Sequence, residues 1–186
     1  MAMTPLRIAV IIGSTREGRA GDRIARWFVD QATSHDDLVV TVVDLGEYDF
    51  PASYPAEPTA PIRAFVREVD QAEAFVVITP EYNHSFPAPL KQAIDYAYDE
   101  WQAKPVGFVS YGCRSTGRHA VDHLRTVFTA LHAMTVRDVV GIDLLAGEPT
   151  PQCTDELRRD ASVLLDQLRW WGLALRGGRA ARPYVS

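Results

Sequence analysis

Cysteine is scarce in this chain of 186 residues: only Cys113 and Cys153 occur, and they stand far apart. A disulfide framework therefore finds no support, and the two cysteines show no zinc-site spacing. A strong charge of either sign is missing too. Lys and Arg number 19 against 24 Asp and Glu, for a formal net charge of -5, so the basic stripe of a dedicated nucleic-acid binder is absent. No apolar run approaches the roughly 20 residues that span a bilayer. The opening stretch MAMTPLRIAVIIGS has no charged lead and no cleavage site. Its apolar run predicts a strand, and a cytoplasmic protein is expected. Repeats, low-complexity blocks and linkers are all lacking, which predicts one domain over residues 1–186.

Hydrophobic residues make up 47% of the chain, enough to bury a full core. Short apolar runs alternate with amphipathic stretches. Strands are expected over residues 6–12, 38–45, 74–80, 105–112 and 135–144. Helices are expected over 21–33, from Ile62 to Val69, from Leu90 to Trp101, from Val121 to Leu131, and from Leu157 to Trp171. The stretch 46–61 is rich in proline and small residues and reads as a loop. Residues 176–186 read as a loose basic tail. Strands alternating with helices predict an α/β fold, a parallel sheet covered on both faces. Ligands in such folds sit beyond the carboxyl ends of the strands, at a switch in strand order. The loops 13–21, 80–87 and 111–117 fall there, and they hold the least ordinary residues of the chain.

The first of these loops reads GSTREGRAG from Gly13 to Gly21. A turn that feeds a helix N-terminus offers free N–H groups and partial positive charge. Ser14 and Thr15 add hydroxyls, and Arg16 and Arg19 add planar forks suited to phosphate oxygens. The dinucleotide fingerprint G-x-G-x-x-G fails at Thr15. The P-loop pattern is half met by Gly13 and Gly18, but Arg19 and Ala20 stand where Lys and Ser/Thr belong. Taken alone, the loop fits an anion site and a Ser-capped turn with solvated arginines equally well. The second loop, PEYNHSFPAP, is stiffened by Pro80, Pro87 and Pro89. Tyr82 and Phe86 offer flat surface, and Asn83, His84 and Ser85 offer hydrogen bonds, a combination suited to a flat ring with polar edges.

GSTREGRAG followed by PEYNHSFPAPLKQAIDY resembles the NADPH-dependent FMN reductases, which include quinone, chromate and azo-dye reductases. The resemblance runs from Leu6 to about Gly141. It implies a flavodoxin-like three-layer sandwich with strand order 2-1-3-4-5 and non-covalently bound FMN. It implies that Ser14, Arg16, Arg19 and the amides up to Gly21 grip the phosphate, and that Pro80, Glu81, Tyr82 and Asn83 line the isoalloxazine. Tyr111, Gly112 and Ser115 of the third loop are further candidate contacts. That loop, SYGCRSTGRHA, departs from the pattern, because such proteins often carry paired glycines where this chain has Ser115, Thr116 and Gly117. NADPH or NADH would be the reductant. A quinone, azo compound, metal ion or free flavin would be the acceptor. An electron carrier of the flavodoxin type is the alternative, and a flavin sensor without turnover a third reading.

No catalytic acid or base is identified. Tyr82 and His84 are candidates to stack or donate a proton, although a solvent-facing His84 is the simpler reading. His119 and His123 lie four apart on a helix, but no third ligand is visible in the sequence and no metal site is expected. Cys113 reads as an incidental loop thiol, and Arg176, Arg179 and Arg182 as a solvated end. The third helix shows more than one apolar stripe: Leu90, Ile94, Tyr96, Tyr98 and Trp101. One stripe suffices to pack on a sheet, so the surplus predicts a homodimer or homotetramer interface.

Overall fold

The computed structural model describes residues 4–145 and 154–185; Cys153 lies outside them. The strands are β1 (Leu6–Ile12), β2 (Leu38–Asp44), β3 (Ala74–Pro80), β4 (Pro105–Gly112) and β5 (Met134–Asp143). The helices are α1 (Gly21–Ala32), α2 (Ala60–Gln71), α3 (Ala88–Tyr96), α4 (Arg118–Ala130) and α5 (Asp155–Ala181). The strands form one parallel sheet in the order β2-β1-β3-β4-β5, as expected for a flavodoxin-like fold.

The side-chain pattern explains the layering. In β3 and β4 every residue is buried, because helices cover both faces of the central strands. On one face Ile8, Val10, Val76 and Val109 pack with Ile24 and Phe28 of α1 and Leu164 and Leu168 of α5. On the other, Ile11, Phe75, Val77 and Phe108 pack with Phe65 of α2, Leu90 and Ile94 of α3, and Leu124 and Phe128 of α4. The edge strand β2 leaves Val39 and Val42 half exposed.

Two elements, α3 and α5, differ from the sequence reading in three respects. The periodicity of the third helix continues to Trp101, but α3 stops at Tyr96 and a short 3-10 turn covers Asp99–Trp101. That break lets Trp101 swing fully into the core, where it meets Phe75 with ring centroids 4.6 Å apart and donates from Nε1 to the Ile94 carbonyl at 3.1 Å. Tyr96 is also buried, against Phe50 and Tyr54 of the proline-rich segment. The apolar surplus assigned to a subunit interface is thus mostly spent inside the chain, and Tyr98 is the exposed remainder.

The last helix is the second difference. It continues through Gly177 and Gly178 to Ala181, where a loose tail was expected. Each glycine disfavours a helix by about 1 kcal/mol relative to alanine, and tertiary hydrogen bonds offset this. Arg176 donates to the carbonyls of Thr4 and Pro5, and Arg179 to that of Ala103. The third difference lies on the same helix: Trp171 is partly exposed, and Gly172 takes the inward position against Leu6.

Candidate functional site

The switch in strand order places the loops after β1, β3 and β4 side by side, and between them lies a cavity of about 380 Å³. The first loop contributes Arg16, Glu17, Gly18, Arg19 and Ala20, and α1 adds Arg23. The second contributes Pro80, Glu81 and Tyr82; the third contributes Tyr111, Gly112 and Cys113, with Leu144 behind. The remaining sequence candidates, Ser14, Gly21, Asn83 and Ser115, do not border it.

Ser14 lies beneath the loop. It is fully buried, and the Tyr111 hydroxyl donates to its Oγ at 3.0 Å. Burial is the main cause that pushes the Tyr111 phenol up to about 12, with the Ser14 bond opposing it. Gly21 makes this pair possible. A Cβ there would come within 2.7 Å of Ser14 Oγ and 3.1 Å of Tyr111 OH. Both residues shape the loop from below.

Arg19 differs from the expectation of a free phosphate fork. Its Nη1 donates to Asp44 Oδ1 at 2.8 Å, its Nη2 meets Asp44 Oδ2 at 2.5 Å, and its Nε lies 2.6 Å from Asp22 Oδ1. Nη1 also donates to the Ser14 carbonyl. The reason is register. Asp44 pairs with Ile12 across β1 and β2, so its carboxylate stands beside the loop that follows β1. Two carboxylates already balance the charge of Arg19. Arg16 is exposed, and among the described residues its side chain has no partner. Arg23, which the sequence reading passed over, borders the cavity with a buried Nε that lacks a hydrogen-bond partner. Its place in the first turn of α1, directly after the arginine-bearing loop, was the available signal.

The second loop is a tight reversal. Tyr82 N–H donates to the Ser85 carbonyl at 2.8 Å and Ser85 N–H returns to Tyr82 at 3.0 Å. Asn83 and His84 between them have φ of 50° and 63°, the positive values that a type I′ turn needs at both central positions. Asn83 is exposed on this turn. Glu81, just before it, donates its N–H to the Tyr111 carbonyl at 3.0 Å and so ties the second loop to the third. Burial raises the Glu81 carboxyl, but hydrogen bonds from Ser115 and the His119 amide, with the His119 ring nearby, bring it below its usual range. Ser115 therefore acts on the site through Glu81.

In the third loop the chain holds left-handed backbone without glycine at Arg114 (φ 60°) and Thr116 (φ 53°), then with glycine at Gly117 (φ 86°). Ser110 Oγ fastens this bend by donating to the Thr116 carbonyl at 2.8 Å. A Cβ on Gly117 would approach the Tyr111 amide nitrogen to 2.8 Å. The departure from paired glycines thus changes side chains while keeping a glycine-like path.

The chain matches the NADPH-dependent FMN reductase family over residues 6–146. It is similar to an NAD(P)H-dependent FMN reductase of Schizosaccharomyces pombe, 34% identical over 142 residues, covering 67% of this chain and 70% of that one. It is also similar to a quinone reductase of Pseudomonas putida, 31% identical over 178 residues, covering 88% and 93%. Among solved structures, a flavodoxin variant from Pseudomonas aeruginosa superposes with a TM-score of 0.55 at 21% identity, covering 92% of this chain and 100% of that one, which bears on the fold alone. With a matched region that contains all three loops of the cavity, the chain belongs to the NADPH-dependent FMN reductase family.

Proposed function

We infer that the protein is an FMN-dependent NAD(P)H oxidoreductase that reduces a small acceptor, with a quinone the favoured class. The observation that carries this reading is the convergence of three loops on one cavity with uncompensated cationic groups in its lining. Arg16 is unpaired and Arg23 Nε is buried without a partner. A buried, unsatisfied donor costs stability unless something meets it, and a phosphate oxygen has the matching chemistry. Around it, the Arg23 and Ile24 amides are turned back onto the Ala20 carbonyl, which leaves the Gly21 and Asp22 amides as the free donors of a helix start, groups that favour an anion. FMN therefore fits the residues present.

Arg16, Arg23 and the amides leading to Gly21 would hold the phosphate. Arg19 would hold the loop in shape through Asp44 and Asp22, and Ser14 would do so through Tyr111. Pro80, Glu81 and Tyr82 would wall the ring on one side and Tyr111 and Gly112 on another, with Asn83 at the outer turn and Ser115 behind Glu81. Bound FMN supplies the hydride-accepting and hydride-donating chemistry. The chain's own part is to fix the ring and leave one face open to both substrates. The partly exposed Tyr82 stands at that open rim. The reductase names carried by relatives of 34% and 31% identity favour an enzyme over a carrier.

A quinone as acceptor rests on the Pseudomonas putida relative. A homodimer, with exposed Tyr54 and Tyr98 in the contact, and a cytoplasmic location complete the reading; no helix of the described residues is long and apolar enough to cross a membrane. The decisive experiment is a visible spectrum of the purified protein followed by anaerobic titration with NADPH. Flavin bands that bleach at one equivalent are expected. A colourless protein that does not take up added FMN would refute the reading.

A further inference from the structure

Glu81, which lines the cavity, and His84 from the second loop meet His119 from the first turn of α4. Their candidate ligand atoms all lie within 4.8 Å of one another. His119 Nδ1 is 3.3 Å from Glu81 Oε1. Neighbouring ligands stand about 3.4 Å apart when metal bonds of about 2.0–2.2 Å meet at tetrahedral angles. One edge of a coordination triangle is therefore already set. The His84 ring stacks on that of His119 with centroids 4.3 Å apart, and it is exposed on a turn tip, so rotation of its own side chain brings its nitrogen to the third corner.

The scaffold holds the other two corners firmly. Glu81 is held by its N–H to Tyr111, and its Oε2 accepts from the His119 amide at 3.1 Å. His123, one turn further along α4, is engaged elsewhere, its Nδ1 3.0 Å from Ser85 Oγ, and does not belong to this group. The sequence offered His119 and His123 without a third ligand and no metal site was expected; the fold instead gathers His119 with Glu81 and His84, which only the folded loop brings together.

We propose that Glu81, His84 and His119 form a binding site for a divalent transition-metal ion, with a coordination position open to solvent at the mouth of the cavity. Two imidazoles and one carboxylate suit Zn2+, Cu2+ or Ni2+, whereas Mg2+ and Ca2+ require oxygen ligands. The site stands on the geometry of the chain itself and does not depend on flavin or turnover.

The test is a competition titration of the purified protein, with and without FMN, against a chromophoric chelator for Zn2+. One Zn2+ per chain is expected in both states, with Cu2+ held more tightly than Zn2+, following the general affinity order, and Mg2+ not competing. His84→Asn keeps a residue that tolerates the left-handed turn, and with His119→Gln it should weaken Zn2+ binding by about tenfold or more. His123→Ala and Cys113→Ser should leave it within about threefold, well short of the loss of a ligand. Circular dichroism checks that each variant is folded. Absence of binding at micromolar Zn2+, or binding lost in Cys113→Ser or His123→Ala but kept in folded His84→Asn, overturns the proposal. Metal binding in a protein that takes up no flavin would leave it standing while the oxidoreductase reading fails.

Discussion

Arg19 and Asp44 form a two-pronged ion pair, Nη1 to Oδ1 at 2.8 Å and Nη2 to Oδ2 at 2.5 Å, with both side chains mostly shielded from water. The pair fastens the loop after β1 to the end of β2. Removing one partner of a shielded pair leaves the other uncompensated. Arg19→Ala and Asp44→Asn should each lower unfolding free energy by about 2–3 kcal/mol, on the scale of hydrogen bonds to charged groups. The double variant should cost far less than the sum. Urea unfolding of the four proteins measures this coupling, and additive losses would show that the pair is idle.

With Arg19 engaged by Asp44, the proposed phosphate grip falls to Arg16 of the first loop and Arg23 of α1. Arg16→Ala should weaken FMN by about 1.5–3 kcal/mol, the scale of a charge-assisted hydrogen bond. Arg23→Met, which keeps the apolar stem, should weaken FMN to a similar degree while changing stability little or even raising it, because the buried Nε has no partner in the free chain. Fluorescence quenching of added FMN reads the affinity. Unchanged affinity in both variants would move the phosphate elsewhere.

Arg114 is an exposed residue at φ 60°. A side chain in that region costs about 1–2 kcal/mol, and glycine gives back part of this through its freer unfolded chain. Arg114→Gly should therefore raise stability by about 0.5–1 kcal/mol. Differential scanning calorimetry decides it, and a lowered melting temperature would mean that the Arg114 side chain makes a compensating contact.

Lys104 gives a pH signature. Burial is the main cause that lowers its amine to about 8 from 10.5, although Nζ donates to the carbonyls of Val69 and Asp70 at 3.0 and 2.9 Å. Between those two values the unfolded chain binds a proton that the folded chain lacks, so stability rises with pH there. The penalty is full below about pH 8. The unfolding free energy of wild type minus that of Lys104→Met should increase from pH 8 to pH 10. A flat difference would show that the two carbonyls keep the amine charged throughout.

Much of the fold was legible because it rests on local periodicity. The bounds of β1, β3 and β4 coincide with apolar runs that any reader of the sequence can mark. The third helix misled because Trp101 sits at helical spacing from Ile94 and Leu90, while the core drew it in through a break after Tyr96. The tail misled because Gly177 and Gly178 are poor helix residues, and the carbonyls that hold Arg176 and Arg179 lie over 70 residues away in sequence.

The site divides along the same line. The chain's order of residue types determined the α/β class, the three loops and their chemistry: a hydroxyl- and arginine-bearing turn, a proline-stiffened aromatic turn, a third turn with few glycines. Which side chains face the cavity was decided only by tertiary structure. Arg19 lost its free fork to Asp44, Ser14 went beneath the loop to Tyr111, Arg23 joined the cavity lining, and His119 came beside Glu81 and His84. The physical reason is that backbone periodicity is written in neighbours three or two residues apart, whereas charge pairing is settled by strand register and loop contact, which bring together groups with no trace of one another in the linear text.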